Sequence, residues 1–352
     1  MVIIMILKLS DTDLNKLDEL FNIDECNKVF ADFLFDYIDN AKVIAKKYRT
    51  SLYESIIKYF EVSKDVLDYF KDNNLKDNIV KLDISKYENN PYNKNIVLNN
   101  VTDGLYKFEY QSFLPHEGFL CEDIKVDDRF VEHTKIGYFD KQYKYLTLSY
   151  DNNIWMLITP HEINTMNDAI NKASGDVITF GLGLGYFPYM CSLKEDVTSV
   201  TIIEKDENII NLFKKHILPL FEHKEKIIII NDDAINYSKN NIFKYNYGFV
   251  DLWRDTNDGL KLYIDMKNAN ALQLSTTFDY WIEDSMLQII RRAMIAMLFE
   301  TINQINIETE ETYFDYVVNR LKKIYEKVEI YAFDQIEKIL SDKTIRYLSE
   351  MI

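Results

Sequence analysis

Residues 177–204 read VITFGLGLGYFPYMCSLKEDVTSVTIIE, and this stretch decides the fold. Val177–Phe180 is a short apolar run that ends in a loop with glycines at 181, 183 and 185. The pattern predicts a helix next, then a second apolar strand over Val200–Ile203 that stops on Glu204. A strand–loop–helix–strand unit of this kind suits an adenosine-bearing ligand. Glycine lets backbone approach the ligand where a Cβ would collide. An acid some twenty residues on, at the tip of the second strand, can accept hydrogen bonds from both ribose hydroxyls.

The glycine spacing narrows the choice of ligand. A dinucleotide fingerprint needs its third glycine three residues after the second, over the pyrophosphate. That position is Tyr186 here, and Gly185 falls one residue early. G-x-G-x-G followed by an acid at the end of the next strand resembles the class I S-adenosylmethionine-dependent methyltransferases.

The resemblance continues downstream. Lys226–Ile230 reads as a third buried strand, followed by Asn231-Asp232-Asp233-Ala234. In that family an acid just before a small residue here contacts the adenine amino group, which matches Asp233; its neighbour Asp232 stays open as the alternative. Tyr247–Val250 reads as a fourth strand ending on Asp251, with Leu252-Trp253-Arg254-Asp255 in the loop beyond. The likeness covers about residues 175–285. It implies a doubly wound, Rossmann-like α/β domain with its ligand outside the carboxyl ends of the strands. S-adenosylmethionine is the implied cofactor, with Gly181, Gly183, Gly185, Glu204, Asp232 and Asp233 as its binding residues. One position departs from the family pattern. An acid commonly sits two residues before the first glycine to hold the methionine amino group, and here that residue is Thr179. Asp251 or a backbone carbonyl of the glycine loop are the candidates to replace it.

Composition bounds the rest. The chain has 352 residues, enough for a catalytic domain and a smaller second one. Glycines number only nine, so three within five residues stand out. A net charge of −16 and a pI near 4.9 oppose polyanionic partners, and no dense Lys/Arg stripe is visible. No nucleic acid is therefore expected as partner. Cys26, Cys121 and Cys191 are far apart, without C-x-x-C spacing, which suits a reducing cytoplasm and neither zinc nor disulfides. The five histidines show no H-x-x-x-H or H-E-x-x-H spacing, so no metal site is expected. The opening MVIIMILK lacks the basic start and cleavage site of a signal peptide and reads as a first strand or a buried terminal segment. No run of eighteen apolar residues exists, so no membrane partner is expected.

Three regions are expected. Residues 1–100 read as a helical module, with Leu14, Leu17, Leu20 and Phe21 at helical spacing and Ser10 placed to cap. Asn90-Pro91-Tyr92 reads as a turn. Residues 101–164 read as a small antiparallel β module: Tyr106–Tyr110, Lys135–Phe139, Tyr143–Tyr150 and Ile154–Thr159, the last three joined as hairpins. Residues 165–352 carry the cofactor domain and its C-terminal helices. A β module directly before such a domain, with Thr159-Pro160-His161-Glu162 entering a helix, resembles the spermidine synthase branch of the superfamily. Pro160 suits the first turn and Glu162 its dipole. The GLGLG loop and the DLWRD segment depart from the G-G-G-D-G-G and D-x-x-D-P patterns of that branch.

The fourth-strand loop is the best candidate for chemistry. Asp251 or Asp255 could hold or deprotonate an amine, Arg254 could pair with a substrate carboxylate, and Trp253 could wall the pocket. The expected activity is methyl transfer to a small molecule, an amine or amino-acid-like acceptor. Aminopropyl transfer and a non-catalytic cofactor-binding regulator are the alternatives. Long amphipathic helices at both ends could pair subunits into a homodimer.

Overall fold

A computed structural model describes residues 5–34, 38, 54, 58, 68, 69, 71–73, 75–98, 100–241, 244–305 and 311–352. At its centre lie five strands: β1 (Gly175–Phe180), β2 (Val197–Glu204), β3 (Ile227–Asn231), β4 (Tyr247–Val250) and β5 (Thr277–Tyr280). They pair in the order β3-β2-β1-β4-β5, every neighbour parallel. Val177–Phe180 and the whole of β4 are buried, which is why these strands read as mostly apolar runs and not as an alternation. Parallel strands need crossovers, and helices supply them: Tyr186–Ser192 after β1, Glu207–Leu212 after β2, Ala234–Asn240 after β3 and Thr256–Asn270 after β4. The fold is mixed α/β. Strand order reverses beside β1, so a crevice opens at the carboxyl ends of β1 and β4.

The β region before this sheet differs from expectation in one pairing. Tyr143–Tyr150 and Asn153–Leu157 do form a hairpin, with Asp151 and Asn152 both in the left-handed region that a two-residue turn needs. Ile136–Tyr138, however, does not pair with Tyr143–Tyr150. It joins Ile79–Lys81 and Phe119–Leu120 in a separate three-stranded sheet. Tyr143–Tyr150 instead pairs with Tyr106–Phe113 along the whole length of both strands. A full ladder with cross-strand aromatics wins over a three-residue one: the Tyr106 and Tyr150 rings lie 4.9 Å apart, and those of Phe113 and Tyr145 4.8 Å.

In the N-terminal region, Asp11–Phe33 is helical and Ser10 caps it, accepting from the Asp13 amide. Much of the remaining helical expectation there falls outside the described residues. The region is not purely helical, because Ile79–Lys81 is a strand of the sheet just named. Met5–Leu7 is also a strand, paired in parallel with Val328–Ile330, which ties the beginning of the chain to its last helices. Among the described residues no helix is long and apolar enough to cross a membrane.

Candidate functional site

The glycine loop is shaped first by the protein's own backbone. Gly181 has φ +98°, and its amide donates to the Ile203 carbonyl at 2.9 Å. A Cβ at this position would lie 1.9 Å from the Asp251 carbonyl oxygen. The first glycine is thus required where the β1 loop passes against the end of β4. Gly183 has φ +51° and nothing within 4 Å of where its Cβ would stand. It faces open space. Gly185 precedes the helix Tyr186–Ser192, and its amide closes the loop onto the Leu182 carbonyl at 2.9 Å.

The loop is also clamped from behind. The buried Tyr92 hydroxyl donates to the Leu184 carbonyl at 2.6 Å, and the Asn90 side-chain amide donates to the Tyr186 hydroxyl at 3.0 Å. Asn90 caps the short helix Pro91–Asn95, so Pro91 and Tyr92 begin a helix where the sequence reads as a turn. Its docking on the glycine loop has no signature in the sequence.

Glu204 stands at the end of β2. One carboxylate oxygen accepts from the Leu182 amide at 3.1 Å and the other from the Asp206 amide at 2.8 Å. Each oxygen keeps a second lone pair for a ligand. Asp233 caps the helix Ala234–Asn240, accepting from the Asn236 amide at 2.9 Å, and borders the same space as Glu204. Asp232 accepts from the Asp233 amide at 2.8 Å and does not line that space.

These groups surround a cavity of about 560 Å³ at the crevice between β1 and β4. Its walls include the glycine loop, Thr179, Tyr186, Phe187, Glu204, Asp233 and Asp251. Ile154, Trp155, Met156 and Leu157 of the preceding hairpin cover one side, and Leu252, Trp253, Leu262 and Trp281 close another. The sheet edge and the β module therefore share one cavity.

Two carboxylates give the cavity its chemistry. Asp251 follows β4, and burial pushes its carboxyl up to about 7. Glu162, on the first turn of the helix Pro160–Lys172, lines the same cavity. Its carboxyl is pushed well above the usual range, first by burial and then by the Asp251 charge. Among the described residues neither carboxylate has a hydrogen-bond donor or a cationic partner. From the sequence Glu162 reads only as a charge suited to its helix dipole. Its position on the helix immediately before β1 is the signal that could have placed it here. The neighbouring His161 is held down to about 4 by burial and packs its ring on Trp281 at 5.9 Å.

The remaining candidates sort by their partners. Arg254 is exposed and pairs with Asp258 at 2.8 Å, on the rim of the cavity. Asp255 caps Thr256–Asn270 in a reciprocal capping box with Asp258, and does not line the cavity. Trp253 is buried and donates its indole N–H to the Trp281 carbonyl at 3.2 Å. Trp281 donates in turn to the Thr165 hydroxyl at 2.8 Å, so two tryptophans form one fixed wall. Phe187 stacks on Phe249 at 4.3 Å, at once core and cavity lining. Among the described residues no cluster of His, Cys, Asp and Glu is arranged to hold a metal ion.

No family model matches this chain, and no curated protein matches it. Among solved structures it is similar to a spermidine synthase from Thermotoga maritima, at 11% identity over 40% of this chain and 52% of that one, with a TM-score of 0.28. A second is the SAH-bound methyltransferase PaMTH1 from Podospora anserina, at 12% identity over 46% of this chain and 64% of that one, with a TM-score of 0.28. A third, PigF with SAH, is 16% identical over 30% of this chain and 36% of that one, with a TM-score of 0.23. The chain spans about half the length of the spermidine synthase it matches.

Proposed function

We propose that this chain is an S-adenosylmethionine-dependent methyltransferase acting on a small molecule, with a doubly wound, Rossmann-like domain holding the cofactor. The observation that carries this reading is the character of the cavity at the β1–β4 crevice. It is lined by Glu162, Glu204, Asp206, Asp233, Asp251 and Asp258, against Lys205 and an Arg254 already paired with Asp258. A pyrophosphate would meet repulsion from that many carboxylates. A cationic nucleoside would not.

The residues fit such a ligand part by part. Gly183 leaves room for close approach at the loop, Glu204 keeps lone pairs for ribose hydroxyls, and Asp233 borders the place for the base. When bound, S-adenosylmethionine supplies a methyl carbon made electrophilic by its sulfonium. The protein then needs only to align an acceptor and take up a proton. Asp251, poised near neutrality, is the group suited to take that proton. Trp253 and Trp281 exclude water beside it, and the hairpin Tyr143–Leu157 brings Trp155 and Met156 over the acceptor side.

Aminopropyl transfer is the second reading, and one observation favours it. Among the described residues no cation acts on the carboxylate pair Glu162 and Asp251 to receive the carboxylate of an intact methionine tail. A thermal-shift comparison separates the readings. S-adenosylmethionine and S-adenosylhomocysteine should raise the melting temperature while NAD does not. A larger shift with the decarboxylated cofactor than with S-adenosylmethionine moves the assignment to aminopropyl transfer. Transfer of labelled methyl groups to a metabolite mixture then tests turnover, and binding without any transfer leaves a regulatory binder.

A further inference from the structure

We infer that Glu162 replaces the acid absent at Thr179 as the anchor for the ligand's α-ammonium group. The inference rests on the cofactor reading above and deepens it. Thr179 lies on β1 two residues before Gly181 and is buried, with a hydroxyl but no charge to offer the cavity. A ligand that carries an ammonium group needs a carboxylate near that point, because an amine left among neutral groups loses its charge-assisted bonds. Glu162 stands on the helix that leads directly into β1, and it lines the cavity together with Thr179. Its carboxylate is half-buried against the cavity and has no donor or cation among the described residues. A carboxylate partly withdrawn from water and left without a partner is stabilised when a ligand brings the opposite charge.

Asp251 is the other cavity carboxylate without a donor or cation among the described residues, and the two sit on different elements. Asp251 begins the loop that continues into Leu252, Trp253 and Arg254, along the wall closed by Leu262 and Trp281. Glu162 is on the first turn of the helix Pro160–Lys172, whose His161 and Thr165 both contact Trp281, and the Asp251 charge reaches it. Glu162 anchors the ammonium, and Asp251 stays available for the acceptor.

Two commercial ligands test the anchor, because they differ in the amino-acid tail alone. S-adenosylhomocysteine carries the α-ammonium, and 5′-methylthioadenosine lacks the whole tail. Calorimetry on the full chain should show that Glu162→Gln weakens S-adenosylhomocysteine by at least about tenfold. The same variant should hold 5′-methylthioadenosine within about twofold of wild type, which also reports that it is folded. Glu162→Met, which fills the space without charge, repeats the comparison if the Gln variant does not fold. Equal losses for both ligands, or no loss for either, overturn the anchor. So does a selective loss in Asp251→Asn with Glu162→Gln unaffected. A wild-type chain that binds neither ligand fails the cofactor reading itself, a result distinct from all of these.

Discussion

The Asp251 carbonyl lies so close to Gly181 that a Cβ there would come within 1.9 Å of its oxygen. Gly183, two residues on, has open space where its Cβ would stand. The two glycines therefore do different things. Gly181→Ala should cost roughly 2–4 kcal/mol of stability, since backbone must move on both sides. Gly183→Ala should cost about 1 kcal/mol, for a left-handed residue with a Cβ. The second variant should nevertheless bind S-adenosylhomocysteine at least about tenfold more weakly, because the methyl enters the cavity. Urea unfolding and calorimetry on the same samples separate the two effects. Full affinity in Gly183→Ala would mean that the loop does nothing but turn the chain.

Glu204 should show a mixed signature. It holds the Leu182 and Asp206 amides and is also expected to hold the ribose. Glu204→Ala should lower stability by about 1–2 kcal/mol and weaken nucleoside binding by at least about tenfold. Glu204→Gln keeps one acceptor oxygen, so it should recover part of the stability and less of the affinity. Stability loss with unchanged affinity would leave Glu204 as a loop clamp only.

Asp255 and Arg254 should behave as the helix start that they build. Asp255→Ala breaks the capping box and should cost about 1 kcal/mol, whereas Asp255→Asn, an equally good cap, should be close to neutral. Arg254→Ala removes an exposed pair with Asp258 and should change stability by less than about 0.5 kcal/mol. Methyl transfer that falls about a hundredfold in Asp255→Asn would return that residue to the chemistry.

Asp251 predicts a pH dependence. Burial pushes its folded carboxyl up to about 7, above the usual aspartate value in an unfolded chain. The folded state then holds its proton more tightly, so this group costs nothing below the unfolded value. It removes stability as pH rises toward and through 7. Asp251→Asn should match wild type in melting temperature at pH 4 and exceed it by roughly 2–4 °C at pH 8. A constant difference between the two proteins across that range would show that Asp251 is not held in its neutral form by burial.

Tyr92→Phe tests the clamp behind the loop. It leaves the buried Leu184 carbonyl without its donor and should cost about 1–3 kcal/mol. Ligand affinity should fall with it, because Leu184 belongs to the loop that lines the cavity. Thermal unfolding with and without S-adenosylhomocysteine measures both, and an unchanged ligand-induced shift would separate the clamp from the site.

Much of the central sheet was legible in the sequence because its signals are local. Val177–Phe180, Val200–Ile203 and Tyr247–Val250 are buried on both faces, so they are mostly apolar runs without alternation, each ended by glycine or acid. Strand-end residues such as Gly181, Glu204 and Asp251 inherit their place from that order, since parallel strands put all their carboxyl ends on one edge. The hairpin between Tyr143–Tyr150 and Asn153–Leu157 was legible for the same reason, since its turn is set by adjacent residues, Asp151 and Asn152.

What the chain could not disclose is which distant surfaces meet. The sequence by itself determined the strands, the glycine loop and the acids at their tips, because periodicity, turn chemistry and burial act over a few residues. Only the tertiary structure decided that Tyr143–Tyr150 pairs with Tyr106–Phe113, that Tyr92 grips the glycine loop, and that Asp255 is taken up by its own helix. It also brought Glu162 into one cavity with Asp251. Those outcomes follow from competition between alternative packings, settled by ladder length and by the partners that buried polar groups find, and no local window of sequence contains both sides of that competition.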